Sequence, residues 1–365
     1  MIPLHAPVFV GNERIFVNDT IDSTFVSSVG CYVTRFERQI ADYTASPAAV
    51  ATVNGTSALH LALKLAGVDR NDLVITQPLT FVATCNAIAY CGADPVFVDV
   101  DRDNLGLSPG ALAEWLDEHA FVDDEGVCRT IDDRRSIRAC VPMHTFGHPA
   151  TMDGLMEVCD SWRISLVEDA AESLGSFYKG KHTGTFGMVG ALSFNGNKII
   201  TTGGGGMVLA DQELCRSAKH LSTTAKLNHP YKYVHNEIGY NYRLPNINAA
   251  LGCAQIESLE DFVQNKRELA LRYATFFRDY GLPLVLEPPG CRSNYWLNAV
   301  ICENREKRDD LLKFTNEFGV TTRPVWELMN RLPKFVHCKS GRLTNSEWLE
   351  ARLVNLPSGV RIKRV

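Results

Sequence analysis

Between residues 49 and 194 the chain alternates short apolar runs with helical patterns, and this alternation narrows the fold more than any other feature of the sequence. The runs at 49–53, 72–76, 95–99, 137–142 and 164–169 read as strands, and a further strand leads to Phe194. The stretches between them, including 81–90, 109–119 and 152–160, carry helical spacing, and a Leu- and Ala-rich helix follows Ser57. Strands separated by roughly 10 to 15 residues of helix belong to βαβ units. They predict an α/β fold with a mostly parallel central sheet flanked by helices. Ligands of such sheets sit beyond the carboxyl ends of the strands.

After Gly239 the pattern changes. Residues 248–280 read as one long helix, 283–289 as a turn-rich break, and 295–302, 309–318 and 320–325 as a smaller α+β unit. The expected division is a large domain over 1–250, preceded by an N-terminal arm, and a small domain over 251–365. Residues 122–135 read as an exposed polar excursion, and the stretch from Pro333 onward shows no clear pattern.

At 365 residues and 45% hydrophobic content the chain can bury the cores of two such domains. A net charge of −5 leaves no extended basic surface, which argues against nucleic-acid binding. No run of about 18 apolar residues occurs, and Met1 is not followed by a basic segment and an apolar core, so neither a membrane span nor a leader is expected. The 11 cysteines are scattered singly without a Cys-x-x-Cys pair. That usage fits reduced, buried thiols in the cytoplasm and offers no sequence signal for zinc.

Chemistry concentrates where the strands end. Lys198 stands among small residues, five positions after Ser193 and shortly before Gly203, Gly204, Gly205 and Gly206, a setting that suits an amine held near a phosphate-bearing ligand. A lone lysine is usually a solvated surface charge, so this reading needs other residues. Asp169 closes an apolar strand before Ala170, Ala171 and Glu172; it can face a pyridinium nitrogen or simply cap a helix. Asn54-Gly55-Thr56-Ser57 opens a helix whose free amides attract a phosphate. Phe81 is placed to stack on a planar ring or to fill the core. His144 and His148 are four apart, but Gly147 and Pro149 oppose a helix there, so a turn near substrate is expected and no metal pair. The four glycines lack the dinucleotide-binding spacing and instead allow a sharp turn behind the lysine.

Together these residues resemble the sugar-nucleotide aminotransferases, the DegT-like branch of the aspartate aminotransferase fold. The resemblance covers nearly the whole chain, through Asn54-Gly-Thr-Ser-Ala58, Thr80-Phe-Val-Ala-Thr84, Val98-Asp-Val-Asp101, Glu168-Asp-Ala-Ala171, the lysine segment and Gly239-Tyr-Asn-Tyr-Arg243. It implies pyridoxal 5′-phosphate as cofactor, with Lys198 as its Schiff-base partner and the base of the reaction. Asp169 would pair with the pyridine nitrogen and Phe81 would lie against the ring. Gly55, Thr56, Ser57 and Ser193 would hold the phosphate. Asn241 would reach the phosphate of a neighbouring subunit, which implies a homodimer. Glu172 stands where many members have glutamine and would lie near the cofactor's phenolic oxygen or the substrate. His148, Arg243, Trp296 and Arg323 are the expected substrate contacts.

The lysine segment reads Asn-Gly-Asn-Lys in place of the commoner aromatic-Pro-x-Lys, a variation associated with enzymes that aminate 4-keto-6-deoxy sugars. The implied reaction moves the amino group of glutamate to a keto carbon, C4 foremost, of a nucleotide-linked 6-deoxy sugar for surface polysaccharide or a related glycan. Two alternatives stand beside it. Sugar dehydratases of the family carry histidine in place of the lysine, and a non-catalytic relative would have no need of Lys198, Asp169 and the phosphate turn together.

Overall fold

The computed structural model describes residues 1–361. After an extended arm come α1 (Glu13–Asp22) and α2 (Cys31–Thr44). Then β1 (Ala48–Thr52) leads to α3 (Gly55–Leu65), β2 (Leu73–Thr76) to α4 (Val82–Tyr90), β3 (Asp94–Phe97) to α5 (Pro109–His119), and β4 (Ile137–Val141) to α6 (Met152–Ser161). With β5 (Ser165–Asp169), β6 (Val189–Ser193) and β7 (Gly206–Ala210) they form a seven-stranded sheet in the order β1-β7-β6-β5-β4-β2-β3. Pairings from β6 across to β3 are parallel, and β7 runs antiparallel to both its neighbours. Helices cover both faces, so Val74, Ile75, Val96, Val141, Val167, Val189 and Val208 are all buried and the strands read as continuous apolar runs. α3 seals one face with Leu59, Leu61 and Leu63.

Several local features differ from the sequence reading. Of the four glycines, Gly203 makes the turn, with φ +80°, while Gly206 already begins β7. A Cβ on Gly206 would stand 2.4 Å from the Asn54 carbonyl oxygen, so the strand can pass the start of α3 only without a side chain there. The strand β7 and the helix after it, α7 (Gln212–Ser222), escape a reading that treats those glycines as a turn alone. The helix expected over 248–280 is two: α8 (Asn246–Gln255) and α9 (Leu259–Arg278), joined by one 3-10 turn at Ile256–Ser258. Apolar spacing continues through the bend, which is why the pattern does not reveal it. The excursion at 122–135 contains half of a small hairpin, Ala120–Val122 with Cys128–Thr130.

A second, three-stranded sheet lies farther along the chain. β8 (Asn298–Ile301) precedes α10 (Arg305–Glu317), β9 (Arg323–Pro324), α11 (Thr344–Glu350) and β10 (Leu353–Leu356), with strand order β8-β10-β9. Its central strand comes from the C-terminal stretch that shows no pattern in the sequence, and Leu353, Val354 and Leu356 are buried. Residues 362–365 of the expected 251–365 domain lie outside the described residues. No helix among the described residues is long and apolar enough to cross a membrane.

Candidate active site

A cavity of about 310 Å³ opens beyond the carboxyl ends of β5 and β6. The strand ends supply its chemistry. Ser193 closes β6 and Asp169 closes β5, and both line the cavity with Gly55, Thr56, Phe81 and Lys198.

Lys198 is held by the turn that follows β6, where its amide donates to the Asn195 carbonyl at 2.9 Å. Its side chain is 11% exposed. Nζ donates to Glu172 Oε1 at 3.3 Å and lies 4.0 Å from the centre of the Trp296 ring. Trp296 is fixed in turn: its indole N–H donates to the Asn197 carbonyl at 2.6 Å, and its own carbonyl accepts from the buried Lys266 Nζ at 3.1 Å. Lys266 also donates to the Ser358 carbonyl, and burial pulls its amine down to about 7.

Asp169 is buried, its Oδ2 accepting from Thr84 Oγ1 at 2.7 Å and its Oδ1 from the Ala171 amide at 3.2 Å. Burial raises its pKa, partly offset by those donors and by the Lys198 charge. Glu172 is pushed up to about 7, chiefly by burial, against the lowering influence of Lys198 and of the Phe146 amide, which donates to Oε2 at 2.9 Å. Two acids that are costly to ionise therefore face a cavity holding one lysine. Such a site is completed by a cationic group.

The turn at residues 54–57 opens α3 at the cavity. Asn54 caps α3 by accepting from the Ser57 amide at 2.8 Å. The Gly55 and Thr56 amides have no partner within the helix, as at any helix start, and the macrodipole favours an anion beside them. Gly55 lies hard against Ser193, where an added Cβ would be 2.7 Å from Ser193 Cβ and 2.9 Å from its Oγ. These residues fit a phosphate-bearing pyridine cofactor: a donor-rich helix start at one end, a buried carboxylate at the other, and a lysine between. Gly55→Ala is therefore expected to prise α3 from β6, destabilising the protein by roughly 1–3 kcal/mol and weakening cofactor binding. Thermal melts and a fluorescence titration with pyridoxal phosphate check this, and wild-type values in both would refute it.

The remaining residues singled out in the sequence separate. Trp296 lines the cavity; Ser57 is buried in α3 and is not among the lining residues. Asn241 and Arg243 are exposed and bond to each other, Arg243 Nη2 donating to Asn241 Oδ1 at 2.9 Å. Their segment pairs with the end of β1, through Thr52 and the Val53 amide, and so runs beside the phosphate turn. His148 is buried with neither ring nitrogen bonded among the described residues, lies against the edge of Tyr295, and is pulled down to about 4 by burial. His144 is tied instead to Glu168, 3.0 Å from Oε2. Arg323 is exposed on β9, and neither it nor His148 is among the residues lining the cavity. Trp326, absent from the sequence reading, does line the cavity; its ring is 6.2 Å from Phe81 and 5.3 Å from Phe146. A tryptophan three residues after Arg323 was the available signal.

The raised Glu172 carboxyl makes stability depend on pH in a defined direction. A group whose folded value exceeds its unfolded one contributes fully below the unfolded value and loses that contribution as pH rises through the folded one. The stability of wild type minus that of Glu172→Gln should therefore fall between pH 4.5 and about 7. The total change is about 3 kcal/mol. Urea denaturation of both cofactor-free proteins across this range measures it, and a difference that stays flat contradicts the assignment.

Comparison with known proteins agrees with this geometry. Residues 10–364 match the family described as the DegT/DnrJ/EryC1/StrS aminotransferase family. GDP-perosamine synthase of Escherichia coli O157:H7 is 36% identical over 358 residues, covering 98% of this chain and 93% of that protein. A putative pyridoxal phosphate-dependent aminotransferase, EpsN of Bacillus subtilis, is 37% identical over 336 residues, covering 92% and 84%. Among solved structures, the aminotransferase TlmJ of Streptoalloteichus hindustanus superposes with a TM-score of 0.87 at 28% identity, over 98% of this chain and 93% of that one. The mostly parallel sheet, the lysine cavity and these likenesses together make the chain a pyridoxal phosphate-dependent aminotransferase, and it belongs to the DegT/DnrJ/EryC1/StrS aminotransferase family.

Proposed function

We propose that the enzyme transfers the amino group of L-glutamate to the C4 keto carbon of a nucleotide-linked 6-deoxy sugar, for surface polysaccharide or a related glycan. The observation that carries this reading is the placement of Lys198 Nζ beside Glu172 and the Trp296 ring in the cavity that Asp169 also lines. The relative named GDP-perosamine synthase, an enzyme of a GDP-linked amino sugar, supports the substrate class.

When bound, pyridoxal phosphate supplies an electron sink that lets a proton leave the carbon bearing the amine. Lys198 would hold the cofactor through Nζ, and the same nitrogen would carry the proton as the base of the reaction. Asp169 would face the pyridine nitrogen and favour its protonated form, and that cation would offset the cost of the buried carboxylate charge. Gly55, Thr56 and Ser193 would hold the phosphate, with Ser57 supporting the turn through its amide, which donates to Asn54. Phe81 and Trp326 exclude water from the open side, and Glu172 keeps the lysine amine oriented. Asn241 would reach the phosphate of a second subunit in a homodimer, and Arg243 of the same segment would contact the substrate. Exposed apolar residues near that segment and on the N-terminal part, among them Tyr231, Tyr233, Ile238, Phe25 and Val29, suit a buried interface. Residues 1–250 and 251–365 act as two domains, and the buried free thiols, such as Cys85, Cys140 and Cys253, suit a reducing cytoplasm.

The test is a two-stage assay. Glutamate should bleach the visible absorption of the yellow holoprotein and release 2-oxoglutarate, and 4-keto nucleotide sugars should then gain an amine, read by mass. Turnover of 3-keto but not 4-keto sugars would overturn the C4 assignment. Absence of bleaching with any amino acid would overturn the amine-transfer reading of the site.

A further inference from the structure

Away from the cavity, three side chains of unlike chemistry converge beside the edge strand of the main sheet. Asp94 opens β3, while His337 and Cys338 lie in the turn that follows the 3-10 segment Met329–Arg331. One ligand atom from each lies within 4.8 Å of the other two. Cys338 Sγ and His337 Nε2 are 3.9 Å apart. With Zn–S near 2.3 Å and Zn–N near 2.0 Å, a tetrahedral ion holds sulfur and nitrogen about 3.5 Å apart, so the two atoms would close by a few tenths of an ångström around it.

The backbone holds this arrangement from both sides. The Cys338 amide donates to the Phe335 carbonyl at 3.0 Å, and Phe335 is buried with Phe97, Met329 and Leu343. Beyond the cysteine, the Phe97 amide donates to the Lys339 carbonyl and the Gly341 amide to the Phe97 carbonyl, each at 2.9 Å, so this segment runs along β3. Arg135 Nη2 donates to Asp94 Oδ2 at 2.8 Å and leaves Oδ1 for another partner.

We propose that Asp94, His337 and Cys338 bind one divalent ion of the zinc class, through a carboxylate oxygen, an imidazole nitrogen and a thiolate, with water in the fourth position. Binding releases the Cys338 thiol proton to solvent, and the dication is balanced by thiolate and carboxylate. The mixed sulfur, nitrogen and oxygen set selects zinc or cobalt over the oxygen-seeking magnesium and calcium. Because the ligands come from distant parts of the chain, cysteine spacing carries no trace of the site. The ion would tie the segment that bears Trp326 to the large sheet, and so steady one wall of the cavity from outside it.

Holoprotein treated with chelator and dialysed is titrated with zinc by calorimetry, and with cobalt by visible absorption at wavelengths beyond the cofactor bands. Wild type should take up one equivalent per chain, give the intense ligand-field bands of a tetrahedral thiolate site with cobalt, and melt at higher temperature with zinc. Cys338→Ser and His337→Ala should each weaken uptake at least about tenfold and lose the thermal shift. His337 is exposed, so its variant carries the test even if Cys338→Ser folds poorly. No zinc uptake by wild type, or uptake and cobalt spectra unchanged in His337→Ala, overturns the proposal.

Discussion

Lys198→Ala will reduce glutamate-dependent amine transfer by about four orders of magnitude while leaving the fold in place. Removal of a nucleophile that also serves as the base accounts for an effect of that size. The lysine is not a packing residue: its amine has one carboxylate partner, Glu172 at 3.3 Å, and one aromatic face, Trp296 at 4.0 Å. Truncation removes that amine and leaves Glu172, already pushed up to about 7, free to take up a proton instead of remaining as an unpaired buried charge. Cofactor should still associate through the phosphate turn but without the yellow colour. Stopped-flow measurement of 2-oxoglutarate release, beside a thermal melt, provides the check. A variant that folds and still turns over glutamate would assign the chemistry to another amine.

Asp169→Asn separates cofactor chemistry from protein stability, because the two should respond in opposite directions. Loss of the negative charge opposite the pyridine nitrogen should slow the glutamate half-reaction by about 10²–10³-fold, the scale for one preorganised electrostatic contact. The cofactor-free protein should not lose stability, since the carboxylate it gives up is buried and raised in pKa. An asparagine oxygen can still accept from Thr84 Oγ1. Half-reaction rates and chemical denaturation of the cofactor-free protein are the measurements. A variant with the wild-type rate would remove Asp169 from the reaction. One whose cofactor-free form is strongly destabilised would make it a structural cap of the Ala171 turn.

The parts legible in the sequence share a physical origin. Strands buried on both faces by helices must be apolar throughout, so four βα repeats announce the parallel sheet, and the motifs at the strands' carboxyl ends announce the cavity. The parts that were not legible also share one. β7 begins at a glycine required by the closeness of the Asn54 carbonyl, a contact with a residue far back in the chain. β10, the centre of the second sheet, stands outside the run of βα repeats and takes its place by antiparallel pairing with β8 and β9, strands that lie earlier in the chain.

The sequence by itself determined the α/β architecture, the capped turn that opens α3, and the places of Asp169 and Lys198 at and after strand ends, because strand burial, helix-start amides and strand-end placement are local consequences of residue type. Tertiary structure alone decided which distant side chains face the lysine. It set Trp296 over the amine and brought Trp326 to the cavity, and it buried His148 against Tyr295, away from the cavity lining. Those placements depend on how the second sheet and the helix behind it meet the first, a relation that no spacing along the chain encodes.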